Sequence, residues 1–377
     1  MQTVPSRGLC VLIIALPAAL VSLVGGYTSE AQEDPAIPLI KQLGSTAYPI
    51  RDEASRKLIE LSEKAIPALR KAAVTSEDAE VRRRAKELVR AILPTSKKSP
   101  ATGMEFVLIE AAEFKMGSPT TERNRRIDET LHRVRIKDSF YIGATEVTQG
   151  EFRNVMKASP SWFSPTGAGR LVIPEQDTSK YPVENVTWFD AIEFCNKLSE
   201  KDGLAPFYKL ADLKRDDGCI RLASVTVLGG AGYRLPTEAE WEFACRAYTD
   251  WPYYFGGSAH ERNLNCKSSI VAGGYGAGPL WKALERTAPA RSYTPNTRFL
   301  YEMLGNAGEW CWDYYDKDYY AVSPFTDPQG PKTGDHRVVR GGSWLLTEAS
   351  CRSASRASQL PGDRSYTVGF RVARSAY

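Results

Sequence analysis

The sequence predicts an α+β protein with little regular secondary structure over most of its length, preceded by a small all-α unit. Two observations carry this. Between Pro35 and about Pro94 the apolar residues recur at helical spacing. From Met104 onward the texture changes to short strands, turns and a few capped helices, separated by Gly- and Pro-rich loops. A chain of 377 residues has room for more than one domain. Its 8 Trp and 18 Tyr, most of them after Tyr141, suit an irregular, aromatic-rich fold. Charge is nearly balanced, 49 Lys+Arg against 45 Asp+Glu, which gives no reason to expect nucleic-acid binding.

Residues 1–31 read as a signal peptide. Arg7 is the only charged side chain before an apolar run from Leu9 to Val24, and small residues through Ala31 follow. The run, about sixteen residues, is short for a membrane span. The expectation is therefore export to a periplasmic or extracellular space, with an uncleaved leader as the only route to a membrane. Cys10 lies too early for lipidation. The remaining cysteines are Cys195, Cys219, Cys245, Cys266, Cys311 and Cys351. They contain no CxxC pair, so a zinc ribbon is not expected, while an exported protein can hold a disulfide among them.

Residues 35–94 form the helical unit. Ile37, Ile40 and Leu43, then Ala54, Leu58 and Leu61, then Ile66 and Leu69, then Val81, Ala85, Leu88 and Ile92 mark successive stripes. Breaks fall near Gly44–Pro49, at Ala65–Pro67 and at Ser76–Asp78, and Pro67 suits a first helical turn. The pattern resembles a short HEAT-like repeat, which buries its faces only by stacking on neighbours. The run Arg82–Arg84 is either a partner site or, more commonly for such runs, a solvated helix face. Residues 95–103 are polar, contain Pro100 and read as a linker. In the remainder, 104–377, MEFVLIEAAEFKMGS alternates as a strand hairpin would. Thr148 with Glu151, Thr187 with Asp190 and Thr237 with Glu240 form three capping-box patterns. Apolar stripes follow the last two: Trp188, Ala191, Cys195 and Leu198, then Trp241, Ala244 and Cys245. No long helix is supported after Ala247.

GYRLPTEAEWEFACRA (Gly232–Ala247), LGNAGEWCWDYY (Leu304–Tyr315) and the closing RGGSW…GFRVA segment resemble the formylglycine-generating enzyme / sulfatase-modifying factor family. FVLIEAAEFKMGS (Phe106–Ser118), the segment His132–Met156 and the segment Tyr181–Glu200 match earlier landmarks in the same order. The resemblance covers roughly Gly103 to Tyr377 and implies a C-type-lectin-like α+β fold. It also implies a structural calcium ion, held by the side chains of Glu302 and Glu309 and the carbonyls of Gly305 and Ala307; two carboxylates in an irregular loop suit that ion. A weaker second calcium site would use Asn265 and the carbonyl of Cys266, but IVAGGYGAGPL downstream offers no acid.

Enzymes of the family oxidise a substrate cysteine to formylglycine with oxygen, holding copper(I) between two thiolates, ligands matched to that soft ion. Counting forward from Gly341, the two thiol positions fall on Leu346 and Cys351. Counting backward from Gly369, Cys351 lies two residues before a structural half-cystine position. By either count the first thiol is missing, and leucine binds no copper. Cys351 is left as a catalytic candidate without a partner, as half of a disulfide with Cys245, or as a free buried thiol. Cys195 and Cys311 read as packing. Arg340, Arg352, Arg356 and Arg371 match an arginine-rich core near the family's substrate groove; structural ion pairs are the other reading. His132, His260 and His336 form no spaced metal cluster. The expected function is a divergent family member that lacks the two-cysteine copper site and binds a protein or peptide ligand, a sulfatase among the candidates. The alternative is a working formylglycine-generating oxidase.

Overall fold

The computed structural model describes residues 34–93, 95–173, 177–259, 263–267 and 283–376. The expected signal peptide lies outside them. The helical unit comprises α1 (Ala36–Gln42), α2 (Tyr48–Glu60), α3 (Ile66–Thr75) and α4 (Ala79–Ile92), so the breaks fall where the sequence places them. Asp78 caps α4, its carboxylate accepting from the Glu80 and Val81 amides. Ala54, Leu58, Ile66, Leu69, Val81, Ala85 and Leu88 are buried, whereas Ile37 stays exposed. The helical core is continuous with that of the larger domain. Arg82–Arg84 is a solvated face: Arg83 pairs with Glu80 and Glu87, Arg84 pairs with Glu80, and Arg82 donates to the Ser76 and Glu77 carbonyls.

The predicted linker is a strand. β1 (Ser96–Lys98) pairs antiparallel with β2 (Glu105–Ile109) through a turn closed by the Gly103 amide on the Ser99 carbonyl, 2.9 Å. Its polar side chains mark a sheet edge rather than disorder: an edge strand needs only its backbone to pair. The predicted hairpin differs too. β2 and β3 (Ala112–Met116) do not pair with each other; β3 pairs with β4 (His132–Ile136), and β2 with β5 (Phe140–Gly143). Alternation specifies a half-buried strand but not its partner.

Three helices follow, α5 (Gln149–Met156), α6 (Trp188–Lys201) and α7 (Glu238–Arg246), each starting at a reciprocal capping box on Thr148, Thr187 or Thr237. Between the last two run the hairpin β6 (Tyr208–Asp216) and β7 (Cys219–Val227), and the short β8 (Tyr233–Arg234). The end of the chain supplies β9 (Gly308–Tyr314), β10 (Arg337–Arg340), β11 (Arg356–Gln359), β12 (Val368–Gly369) and β13 (Ala373–Ser375). Beyond α7 the described residues hold only strands, loops and single 3-10 turns. A five-stranded sheet runs β1-β2-β5-β13-β8, so the last strand lies at the heart of the first sheet; a four-stranded sheet runs β11-β10-β9-β12. No helix of the described residues is long and apolar enough to cross a membrane.

Candidate functional site

The loop that leaves β10 carries the catalytic question. Gly341 and Gly342 sit at φ 93° and 75°. A Cβ on Gly342 would lie 2.5 Å from the Cys351 sulfur, so only glycine fits beside that thiol. The chain then turns outward: Leu346 is 41 % exposed. It returns inward through a single 3-10 turn, Glu348–Cys351, and Cys351 is fully buried. The two positions that the forward count assigns to copper thus differ in exposure, one open to solvent and one in the core.

The expected Cys245–Cys351 disulfide is not formed; both thiols are free. Cys245, on α7, faces Ser353, with 3.8 Å between sulfur and hydroxyl oxygen. Burial pushes its thiol up to about 12. Ser353 lies two residues past Cys351, where the backward count puts the half-cystine, so a serine stands opposite Cys245. Cys351 instead contacts the thiol of Cys266, also buried.

The four arginines are structural. Arg371 grips Glu309 with a two-armed fork, 2.6 Å on each side, and Arg356 grips Glu238 at 2.7 and 2.9 Å. Arg352 bridges Glu129 and Glu122, and Arg340 pairs with Glu242 while donating to the Ser353 and Ala354 carbonyls. All four are at most 3 % exposed. A planar five-donor fork can satisfy a carboxylate and nearby carbonyls together, which is how an irregular fold supplies partners for loop backbone.

The same accounting bears on calcium. Both oxygens of Glu309 accept from Arg371, and one also accepts from the Trp241 indole at 2.6 Å. Glu302 accepts from the Arg291 and Tyr293 amides, and burial raises its pKa. Calcium would need these lone pairs, and the Arg371 fork already holds a full positive charge against Glu309. The residues do not fit the ion as the resemblance drew it. Around them Glu146 accepts from the Asn306 side chain and the Ala307 amide; burial, then the nearby Glu302 and Glu309, raise its pKa well above the carboxylate range. At the weaker site the Asn265 side-chain amide donates to the Arg286 carbonyl and to the Asn306 side-chain oxygen, and the Asn265 backbone carbonyl accepts from the Asn306 backbone N–H. Residues 270–280 lie outside the described residues.

Beside the Leu346 loop stands a patch of rings that the sequence reading missed. Trp162, Phe163, Trp344 and Tyr366 interlock with centroid separations of 5.4 to 6.5 Å. Trp162, Tyr366, Leu345 and Leu346 are each partly exposed. The only sequence signal was aromatic content at Ser161–Phe163 and Ser343–Trp344, segments far apart in the chain. Beneath the patch Glu184 is fully buried and accepts from the Trp162 and Phe163 amides at 3.1 and 2.9 Å.

Loss of solvation outweighs those amides and pushes Glu184 up to about 8. A carboxyl raised above its unfolded value lends stability that is complete below about pH 4 and is lost as pH rises through its folded pKa. Relative to Glu184→Gln, the wild type should therefore lose on the order of 1–3 kcal/mol between pH 5 and pH 8. Urea midpoints of the two proteins at both pH values check this; parallel pH profiles would refute a protonated Glu184.

Residues 92–376 match the sulfatase-modifying factor enzyme 1-like domain. The chain is 31% identical over 289 residues to a formylglycine-generating enzyme of Streptomyces coelicolor, covering 72% of this chain and 89% of that protein. It is equally identical, 31% over 291 residues, to the chaperone protein LppX of Paenibacillus barcinonensis, with the same coverage of 72% and 89%. Among solved structures, Treponema denticola variable protein 1 superposes with a TM-score of 0.60 at 30% identity, over 75% of this chain and 99% of that one. With the landmark motifs in order, the sheets built from them and these likenesses, the chain belongs to the sulfatase-modifying factor enzyme 1-like family.

Proposed function

We propose that this protein is an exported member of the family that has lost the two-thiol copper chemistry and works as a binding module. The observation that carries this is that the loop after Gly341 holds a single thiol and hides it: Leu346, the first copper position of the forward count, supplies no thiol and faces solvent, and Cys351 is fully buried. Copper(I) held in linear fashion needs two soft ligands reachable from one groove. The ring patch of Trp162, Tyr366 and Trp344, with Leu345 and Leu346 at its edge, is the binding face in this reading. Amphipathic aromatics with one open edge suit a protein or peptide ligand. A sulfatase is one candidate, since the relative from Streptomyces coelicolor is a formylglycine-generating enzyme. The relative described as a chaperone shows that this domain occurs in proteins with other names and roles. Export rests on the apolar run Leu9–Val24 behind Arg7.

The test is incubation with a cysteine-containing sulfatase peptide, copper and oxygen. The expected result is an unchanged peptide, with turnover roughly 1,000-fold or more below that of a two-thiol relative assayed alongside, the scale on which loss of essential catalytic groups is felt. Loss of the peptide thiol with gain of an aldehyde would establish the oxidase and end the binding-module reading.

A further inference from the structure

We propose that Cys266 and Cys351 are the sites of an intrachain disulfide, formed by exchange with a small-molecule disulfide such as oxidised glutathione. The two thiols touch, and both side chains are buried. The backbone on each side is held in register. Lys267 bridges Thr347, its amide donating to the Leu346 carbonyl at 2.8 Å. Asn265 bridges Gly305 in turn. On the other side the Tyr253 hydroxyl donates to the Glu348 carbonyl at 3.1 Å. Two cysteines can be joined without strain only when their backbones are already close and fixed, and here a β-bridge one residue from Cys266 does that.

Three of the other cysteines face groups that cannot form such a bond. Cys245 faces Ser353, Cys219 accepts from the Arg364 guanidinium at 3.1 Å, and Cys311 lies against the Glu309 carbonyl. The chemistry is ordinary exchange. One thiol loses its proton and attacks the reagent's disulfide, releasing one reagent thiol and leaving a mixed disulfide. The second protein thiol then attacks that bond and releases the other reagent thiol. Two electrons and two protons pass from the cysteines to the reagent. In the folded protein both thiols are enclosed and out of reach of a reagent. Exchange is therefore slow once the chain is folded and fast during folding, before the thiols are enclosed. The pair lies far apart in sequence, so the closed loop is long and its constraint on the unfolded chain large. This inference does not depend on the binding-module reading.

The experiment refolds the whole protein with oxidised and reduced glutathione, then maps non-reduced peptides by mass spectrometry. A linked Cys266–Cys351 peptide is expected, with a thermal midpoint roughly 5–10 °C above the reduced protein. Cys245→Ser should leave both readouts unchanged, and Cys266→Ser should abolish the rise. Recovery of both cysteines as free, alkylatable thiols after oxidative refolding, or a linkage through Cys245, would overturn the proposal. The mapping uses the unaltered protein, so a variant that fails to fold does not blunt the test.

Discussion

Arg371→Met is expected to lower the free energy of unfolding by about 3–5 kcal/mol, the usual penalty for stranding one partner of a buried ion pair. Arg371 is fully buried, and its fork neutralises Glu309 while reaching the Gly143 and Tyr301 carbonyls at 3.0 Å each. Methionine fills similar space but leaves a carboxylate in the core beside Glu146 and Glu302, with three acids and no cation among them. The pair also joins the two main sheets, since Glu309 lies on β9 and the Gly143 carbonyl ends β5. Arg371→Met combined with Glu309→Gln should recover part of the loss, because the double variant buries no unpaired charge. Urea unfolding of the four proteins of the cycle measures both numbers. A single-variant loss under about 1 kcal/mol would mean that water reaches Glu309 and that the arginine core is not a dry one.

Trp188→Ala should cost about as much, roughly 3–5 kcal/mol, by a different route. Trp188 opens α6, is completely buried, and donates its indole N–H to the Cys311 carbonyl at 2.9 Å. Its face carries the Arg337 guanidinium at 3.8 Å from the ring centroid. Tyr314 and Trp312 complete that cage, at 3.5 and 5.1 Å. Burial lowers Arg337 to about 10. Removing Trp188 leaves a cavity, an unpaired carbonyl and a cation without its best aromatic partner. Trp188→Phe keeps a face for Arg337 and loses only the hydrogen bond and some volume, so its loss should be markedly smaller. Equal losses in the two variants would assign the effect to the indole hydrogen bond instead of to the cavity and the cation.

What could be read from the sequence follows the range of the interactions. The capping boxes at Thr148, Thr187 and Thr237 span three residues, and all three were legible with their helices. The breaks between α1 and α4 were legible for the same reason. Strand partners were not, because β2 finds β5 and β13 finds both β5 and β8 across long stretches of chain. Alternation tells a strand which face is wet but not which neighbour it takes. The β1 strand was hidden by its polar composition, which an edge position permits.

At the site, the missing copper ligand at Leu346 was legible by counting residues. The partner of Cys351 was not. Counting leaves Cys351 as a copper thiol, a disulfide partner or a free thiol, and it is the fold that sets Ser353, not Cys351, opposite Cys245. The arginine pairs were ambiguous because a guanidinium reads the same in sequence whether it awaits a ligand or grips Glu238 and Glu309. The ring patch joins Trp162 to Tyr366 from opposite ends of the domain, a contact with no local signature.

The pairing of β1 with β2 has a consequence for how the two parts of the chain can be separated. A protein trimmed to begin after Gly103 would retain every landmark of the larger domain, yet it would strip the outer cover from Glu105–Ile109, a strand rich in Phe, Val, Leu and Ile. That strand would then offer a bare row of amides and carbonyls to any passing chain, the usual template for sticky self-association. Seen this way, residues 96–98 act as a guard rail. They keep an apolar sheet margin from recruiting copies of itself, and they tie the solubility of the larger domain to a segment whose own sequence looks dispensable.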